Sequence, residues 1–367
     1  MSETPSPPWT WTMALAAAML TVAAMGCERD AGDGAQTTEA ESRETATADD
    51  DESEQAAADE ATRRLSDRFN TLMQDDGDPA PMVPEALRLT ERYPDHAAAH
   101  RLLGQILLAD GQHESAYAAF EKSLQLDPEQ MELRLLAGTI ATRDLEDLAA
   151  AQRHYAQAVS LEPTHGRARL HLAQALIDQQ RYDEARHELL VALRHNAEMH
   201  EAHALLADLY AQQNKTDPAL THIRRALDLL PGDDELTDAQ RQRRVIYIRR
   251  RAMLLRRSLK PEAALSVLRD LPTELHYTAG IAEEMARCWA MMQQPIKGAE
   301  HFEQAVERHP TRADVTVGAA RWYLRAEAPA DARRMIDHLQ RINPRHPQLA
   351  ELREQLAAAE GDGTQDG

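Results

Sequence analysis

Residues 97–130, AAAHRLLGQILLADGQHESAYAAFEKSLQLDPEQ, decide the fold. Leu103, Gly104 and Leu107 share one helical face, Ala116 and Phe120 share another, and Asp127-Pro128 closes the stretch. The three- and four-residue steps are those of an amphipathic helix, and the Asp-Pro pair is a stop signal. From about Ala56 onward the whole chain reads this way, in helical segments broken at D-P, E-P, L-P, H-P and N-P pairs. No stretch alternates with period two. With 15 aromatics in 367 residues, the chain is also too poor in sheet-forming side chains for a β fold. Laying the prolines over one another exposes a period: Pro128 and Pro163 are 35 residues apart and Pro310 and Pro344 are 34 apart, with Pro231 between them.

Counted back from each proline, the same positions recur. Residues 131–165 hold Ala137, Gly138, Ala151, Tyr155, Ala158 and Pro163, with one residue inserted in the inter-helix turn. Residues 166–199 hold Leu172, Ala173, Ala185 and Leu189, and 200–233 hold Leu206, Ala207, Tyr210, Ala219 and Ile223. After an insertion at 234–244, residues 245–278 form a divergent copy with Ala252, Leu255, Ala264 and Leu268. Residues 279–312 hold Met285, Ala286, Trp289, Gly298 and Phe302, and 313–346 hold Ala319, Ala320, Tyr323, Ala332 and Ile336. Seven copies in register resemble the tetratricopeptide repeat, with L-G-x-x-Y in a first helix, A-x-x-x-F in a second, and then Pro. The resemblance implies an all-α solenoid superhelix of antiparallel helix pairs. Small residues such as Gly138 let the helices of a pair approach, and large ones pack on the next pair. Residues 56–96 read as a degenerate N-terminal repeat or cap, 97–233 as four repeats, 245–346 as three, 347–359 as a C-terminal capping helix and 360–367 as a disordered tail.

The apolar run Met13–Met25 is too short to span unaided, since 13 helical residues rise about 20 Å against a hydrocarbon core of about 30 Å. It fits the h-region of an export signal. Ala24-Met25-Gly26-Cys27 resembles the lipobox of bacterial lipoproteins, which implies a signal peptide over residues 1–26, a lipidated Cys27 and an anchor in a membrane facing the periplasm. It departs from that pattern at Ala24, where Leu is usual, and the leader carries no Lys or Arg. Residues 28–60 hold 13 acids and two Arg, a net −11 of the chain's −20. Residues 27–55 have no large apolar side chain, so they read as a disordered acidic tether.

An acidic chain has no bulk attraction for phosphate backbones, so no nucleic acid partner is expected. Two cysteines, Cys27 and Cys288, exclude disulfide scaffolds and zinc ribbons. Sixteen His include His96/His100 and His200/His203 on single helix faces, with His195 upstream, but His100 and His203 stand where this repeat packs an aromatic. No metal and no cofactor is expected. The chain lacks G-x-G-x-x-G, P-loop, G-x-S-x-G and H-E-x-x-H motifs, and the repeats occupy almost all of residues 63–359, so no enzyme is expected.

The most unusual segment is RQRRVIYIRRRAMLLRRSLK, residues 241–260, with eight Arg, Lys260 and no acid. Val245, Ile248, Ala252, Leu255 and Leu259 make its expected core stripe. Arg249, Met253, Arg256 and Arg257 fall on a neighbouring face, at positions that in this family line the concave groove, and Arg287 and Arg321 are their equivalents in the next two repeats. One reading is a solvated face paired with Asp233, Asp234, Glu235 and Asp238. The other is a groove for a protein or peptide, acidic or carboxylate-bearing, held by guanidinium forks. The family's carboxylate clamps use Lys and Asn, where this chain has Arg101, Gln105 and Leu136, so that specificity is not carried over. The expected function is a non-catalytic scaffold of the bacterial cell envelope, of the kind that assembles secretion, pilus or polysaccharide-export machinery. The alternatives are an apo-protein or metal chaperone, and a cytoplasmic adaptor without a lipid anchor.

Overall fold

The structure is a computed structural model that describes residues 39–232 and 235–362. The proposed signal peptide, Cys27 and residues 28–38 lie outside the described residues, as do Asp233, Asp234 and 363–367. Among the described residues there are eighteen α-helices and no strand. The chain divides into two compact units, the first ending at His195 and the second beginning at Asn196.

The first unit contains α1 (Glu39–Gln74), a 3-10 turn (Ala80–Met82), α2 (Val83–Arg92), α3 (Ala97–Ala109), α4 (His113–Leu126), α5 (Met131–Arg143), α6 (Leu148–Leu161), α7 (Gly166–Asp178) and α8 (Tyr182–His195). The second contains α9 (His200–Gln212), α10 (Thr216–Asp228), α11 (Asp238–Arg257), α12 (Pro261–Arg269), the single turn α13 (Thr273–His276), α14 (Ala279–Met291), α15 (Pro295–Arg308), α16 (Ala313–Arg325), α17 (Pro329–Ile342) and α18 (Leu349–Asp362). The helix ends follow from local chemistry. Proline disfavours helical backbone in the residue before it, and Asp127, Glu162, His309 and Asn343 all leave the helical region with φ between −126° and −146°. Pro261, Pro295 and Pro329 instead open helices at the first positions, where no N–H is needed.

Each pair turns on one residue with left-handed backbone: Asp76, Gly111, Glu146, Gln180, Asn214, Leu259, Gln293 and Glu327. These fall 34 residues apart from Glu146 to Asn214 and again from Leu259 to Glu327, so the sequence period reappears in the backbone. Leu259 is the anomaly. A branched apolar side chain occupies a conformation that suits Gly or Asn, and it is 79% exposed.

Packing inside a pair depends on missing side-chain volume. A Cβ on Gly104 would meet the Phe120 ring at 2.4 Å, and one on Gly138 would meet the Tyr155 ring at 2.6 Å. Both rings are buried. Ala173, Ala207, Ala286 and Ala320 take the corresponding place in other pairs and are buried to 1% exposure or less.

Four expectations need correction. Residues 39–55, assigned by composition to a disordered tether, continue α1. The segment is rich in Glu and Ala and holds no Gly or Pro from Ala35 to Asp76, so once Ala58, Leu65 and Phe69 are packed the helix extends cheaply toward its N-terminus. The insertion at 234–244 is largely absorbed as the first turns of α11, which has 20 residues where α9 and α14 have 13. Thr237 caps it in a reciprocal capping box with Gln240. The expected core stripe of α11 is only half of its packing. Val245, Ile248, Ala252 and Leu255 do face Leu265, Leu268 and Met285, but Tyr247 and Leu254 are also buried, toward Ile223 and Leu230 of the preceding pair and Leu236 of the connection before α11, and Leu259 is not in the core. Glu360 to Asp362 belong to α18 and not to a tail.

Replacing Gly138 by Leu forces the Tyr155 ring out of a close-packed junction, and overpacking of this kind costs about 1 to 3 kcal/mol. Gly232, whose Cβ would meet nothing within 4 Å, is the control site. Circular-dichroism melts of Gly138→Leu and Gly232→Ala should show a lowered midpoint for the first alone.

Candidate interaction groove

The helices α11, α14 and α16 are the first members of three consecutive pairs in the second unit, and a run of contacts joins one face of each. Arg249 of α11 lies over Gly280 of α14, where a Cβ would come within 2.8 Å of its Nη1. The Trp322 indole N–H of α16 donates to Glu283 of α14 at 2.8 Å. Arg321 of α16 reaches Glu351 of α18 at 3.7 Å. Between α14 and α16 this face opens into a pocket of about 580 Å³, with Gly280, Arg287, Gly318, Arg321, Trp322 and Arg325 in its walls and the Phe302 ring at its base.

The charge of α11 is spent mostly inside the protein. Arg243 pairs with Glu201 at 2.6 Å, Arg250 with Asp208 at 3.0 Å and Arg241 with Asp238 at 3.3 Å. Arg244 donates to the Pro231 carbonyl at 2.9 Å. Of the four acids expected to neutralise the helix, Asp233 and Asp234 lie outside the described residues, and Asp238 takes Arg241. The remaining carboxylates come from α9 and α14, 28 to 42 residues away in sequence. Arg249 and Arg251 have no hydrogen bond or ion pair among the described residues.

The six residues singled out for partner binding therefore separate. Arg256 is sequestered: its guanidinium donates to Glu284 at 3.1 Å, and the two side chains are 19% and 9% exposed. Arg257 turns to the α9–α10 connection, donating to the Ala211 carbonyl at 3.1 Å and to Asn214 Oδ1 at 2.7 Å. Arg249, Arg287 and Arg321 stay on the groove face, with half-buried Met253 beside them. Arg287 is half exposed and bridges Glu283 at 2.9 Å and Glu284 at 3.1 Å. Sequence reasoning missed Gly280, Trp322 and Arg325. A signal for Gly280 was present, because it stands 34 residues after Ile246 and 34 before Asp314, so one groove position in three carries no side chain.

The histidines are structural. His96 caps α3, accepting from the Ala99 N–H at 3.2 Å, while its Nε2 meets Asp59 at 2.8 Å. His100 Nε2 donates to the Pro94 carbonyl at 2.8 Å, and His200 meets the Tyr247 hydroxyl at 3.2 Å. His203 and His222 face each other Nδ1 to Nδ1 at 2.9 Å, so one ring supplies the proton and the other must be neutral to accept it. Among the described residues no three His, Cys, Asp or Glu side chains converge as metal ligands. The Cys288 thiol is fully buried, and burial pushes it up to about 11, which leaves it unreactive at neutral pH.

Burial also holds His154, His200, His203, His222 and His301 below the ordinary imidazole range. In the unfolded chain these rings titrate near pH 6.5. Below that value the unfolded state binds more protons than the folded one, so stability falls as pH drops through about 6.5 toward the depressed folded values. The urea midpoint should be lower at about pH 5.5 than at about pH 7.5. An unchanged or higher midpoint in acid would show that the rings are not held neutral.

Comparison with known proteins gives a consistent family. Two family models, each described as tetratricopeptide repeat, match residues 143–198 and 291–356, and residues 83–130 and 172–234, together more than half of the chain. The tetratricopeptide repeat-containing protein trd-1 of Caenorhabditis elegans is 32% identical over 145 residues, which are 39% of this chain and 19% of that protein. The chain thus spans only about a fifth of that relative's length. A tetratricopeptide repeat protein from Parabacteroides merdae is similar in structure over 71% of this chain and 98% of its own, with a TM-score of 0.51 and 16% identity, a likeness of fold alone.

Proposed function

Because the chain belongs to the tetratricopeptide repeat family, whose members bind protein or peptide partners, we propose that it is a non-catalytic interaction scaffold and that the face of α11, α14 and α16 receives the partner segment. One observation carries this reading: Arg249, without an ion pair among the described residues, and an open pocket flanked by Arg287, Arg321 and Arg325 lie on consecutive first helices, where a segment running along the face meets each in turn. Most other arginines of α11 are neutralised internally. The residual positive charge of the groove suits an acidic segment, and Met253 offers an adaptable apolar contact.

The site of action is the bacterial cell envelope. Met13–Met25 followed by Gly26-Cys27 supports export and lipidation of Cys27, with the repeats held off a membrane by the acidic segment after it. A scaffold in that place suits assembly of secretion, pilus or polysaccharide-export machinery.

The binding face is tested with a photo-cross-linking residue at Met253 and, as control, at exposed Asp337 on α17, in the full chain in its native membranes. Partner cross-links should form at 253 and not at 337, and the reverse would remove the groove from the account. The location is tested by mass spectrometry of the membrane fraction. A mature N-terminus at diacylated Cys27 is expected, whereas an intact N-terminus, or membrane association unchanged in Cys27→Ser, would contradict it.

A further inference from the structure

We infer that the pocket between α14 and α16 is an anion subsite for a carboxylate of the partner, and that helix α18 competes for one of its arginines, Arg321, with its own carboxylate, Glu351. The inference rests on the groove reading above and adds a ligand chemistry and an internal competitor to it.

The charges around the pocket do not balance. Glu283 is committed twice, to the Trp322 N–H at 2.8 Å and to Arg287 at 2.9 Å. Glu284 is committed to Arg256 and Arg287, and Asp314 accepts from Arg312 on the neighbouring loop. That leaves Arg249 and Arg325 without a carboxylate among the described residues. Both are nevertheless positioned. Arg249 rests in the space that Gly280 leaves open, and the Arg325 guanidinium lies over the Trp322 ring, 5.0 Å from its centroid. A stacked guanidinium keeps its N–H edge available, which is the arrangement that binds a carboxylate through two parallel hydrogen bonds.

Glu351 of α18 is the carboxylate that reaches Arg321. It approaches Arg321 at 3.7 Å, beyond hydrogen-bond length, and the two side chains are 45% and 53% exposed. A loose, solvated pair contributes little, so an incoming carboxylate that engages Arg321 together with Arg325 displaces it at small cost. Elsewhere around the pocket the carboxylates are buried or doubly bonded. Glu351 accepts from Gln355 of its own helix at 3.1 Å and meets Arg321 only loosely, so of these described carboxylates it has the weakest hold on a pocket arginine.

The probe is a fluorescein-labelled octa-glutamate with an amidated C-terminus, titrated against the full chain by fluorescence anisotropy at low ionic strength. Glu351→Gln should tighten binding at least threefold, about what release of one weak competitor gives, and Glu354→Gln, the same charge change on the same helix, should alter it less than about twofold. Arg325→Gln should weaken binding about tenfold, and Arg251→Gln, which removes a charge of α11 away from the pocket, should not. A Gly-Ser peptide with a free C-terminus, compared with its amidated form, separates a chain-terminal carboxylate from side-chain carboxylates as the source. Circular-dichroism melts establish that each variant is folded. No binding of either carboxylate peptide would overturn the subsite, as would equal effects of Glu351→Gln and Glu354→Gln, or of Arg325→Gln and Arg251→Gln. If the subsite falls while the cross-links at Met253 persist, the groove reading survives without it. If the peptide behaves as expected and those cross-links are absent, the subsite stands and the groove reading falls.

Discussion

The close approach of two helices within each pair, made possible by small residues, is the constraint on which the rest depends. Gly104 and Gly138 admit the rings of Phe120 and Tyr155 into space that a single added carbon would fill. Where the helix carries Ala instead, that Ala is buried to the same degree. Once a pair closes in this way, its large residues project toward the next pair, and Phe302 against Gly318 shows the same exclusion operating between pairs. A helix pair of this size buries too little by itself, so its stability comes from stacking on neighbours. The unpaired outer faces are then the places where function can be added without disturbing the core.

Charge is distributed by the same geometry. An Arg-rich helix in a packed solenoid meets acids from the helices on either side, and α11 does so through Glu201, Asp208 and Glu284. Exposed pairs of this sort add little stability, but the Arg256–Glu284 pair is largely buried and fixes how α11 sits on α14. On the open face Arg249 is left without an ion pair among the described residues, whereas Arg257 is bonded to neutral acceptors at the α9–α10 connection. Gly280 has a part here that differs from that of the packing glycines: its missing side chain makes room for a guanidinium and not for a ring.

The fold was legible because the repeat writes its packing into fixed positions. Ala116, Ala151, Ala185, Ala219 and Ala332 all reach full burial where a 34-residue register places them. The candidate site was legible only in part. A single helix read in isolation shows which residues share a face, and so Arg249, Met253, Arg287 and Arg321 could be grouped. It does not show which partners arrive from 28 to 46 residues away, and so the burial of Arg256 against Glu284 and the turn of Arg257 toward Asn214 were invisible. Tyr247 and Leu254 were missed for a related reason: α11 packs on two sides, and a one-stripe reading finds only one. The helical course of residues 39–55 escaped a burial argument because the segment has no large apolar side chain, while its Ala and Glu content and lack of Gly and Pro favour extension of the packed part of α1.

The central claim is that the repeats are scaffold and that one face of the second unit is where ligand engages them. Hydrogen–deuterium exchange of the full chain, with and without a saturating acidic peptide, tests it most directly. The account predicts that added protection is confined to residues 246–257, 280–287 and 317–325. Protection centred on α3, α5 and α7, or on the second helices of the pairs, with no change in those three segments, would contradict it.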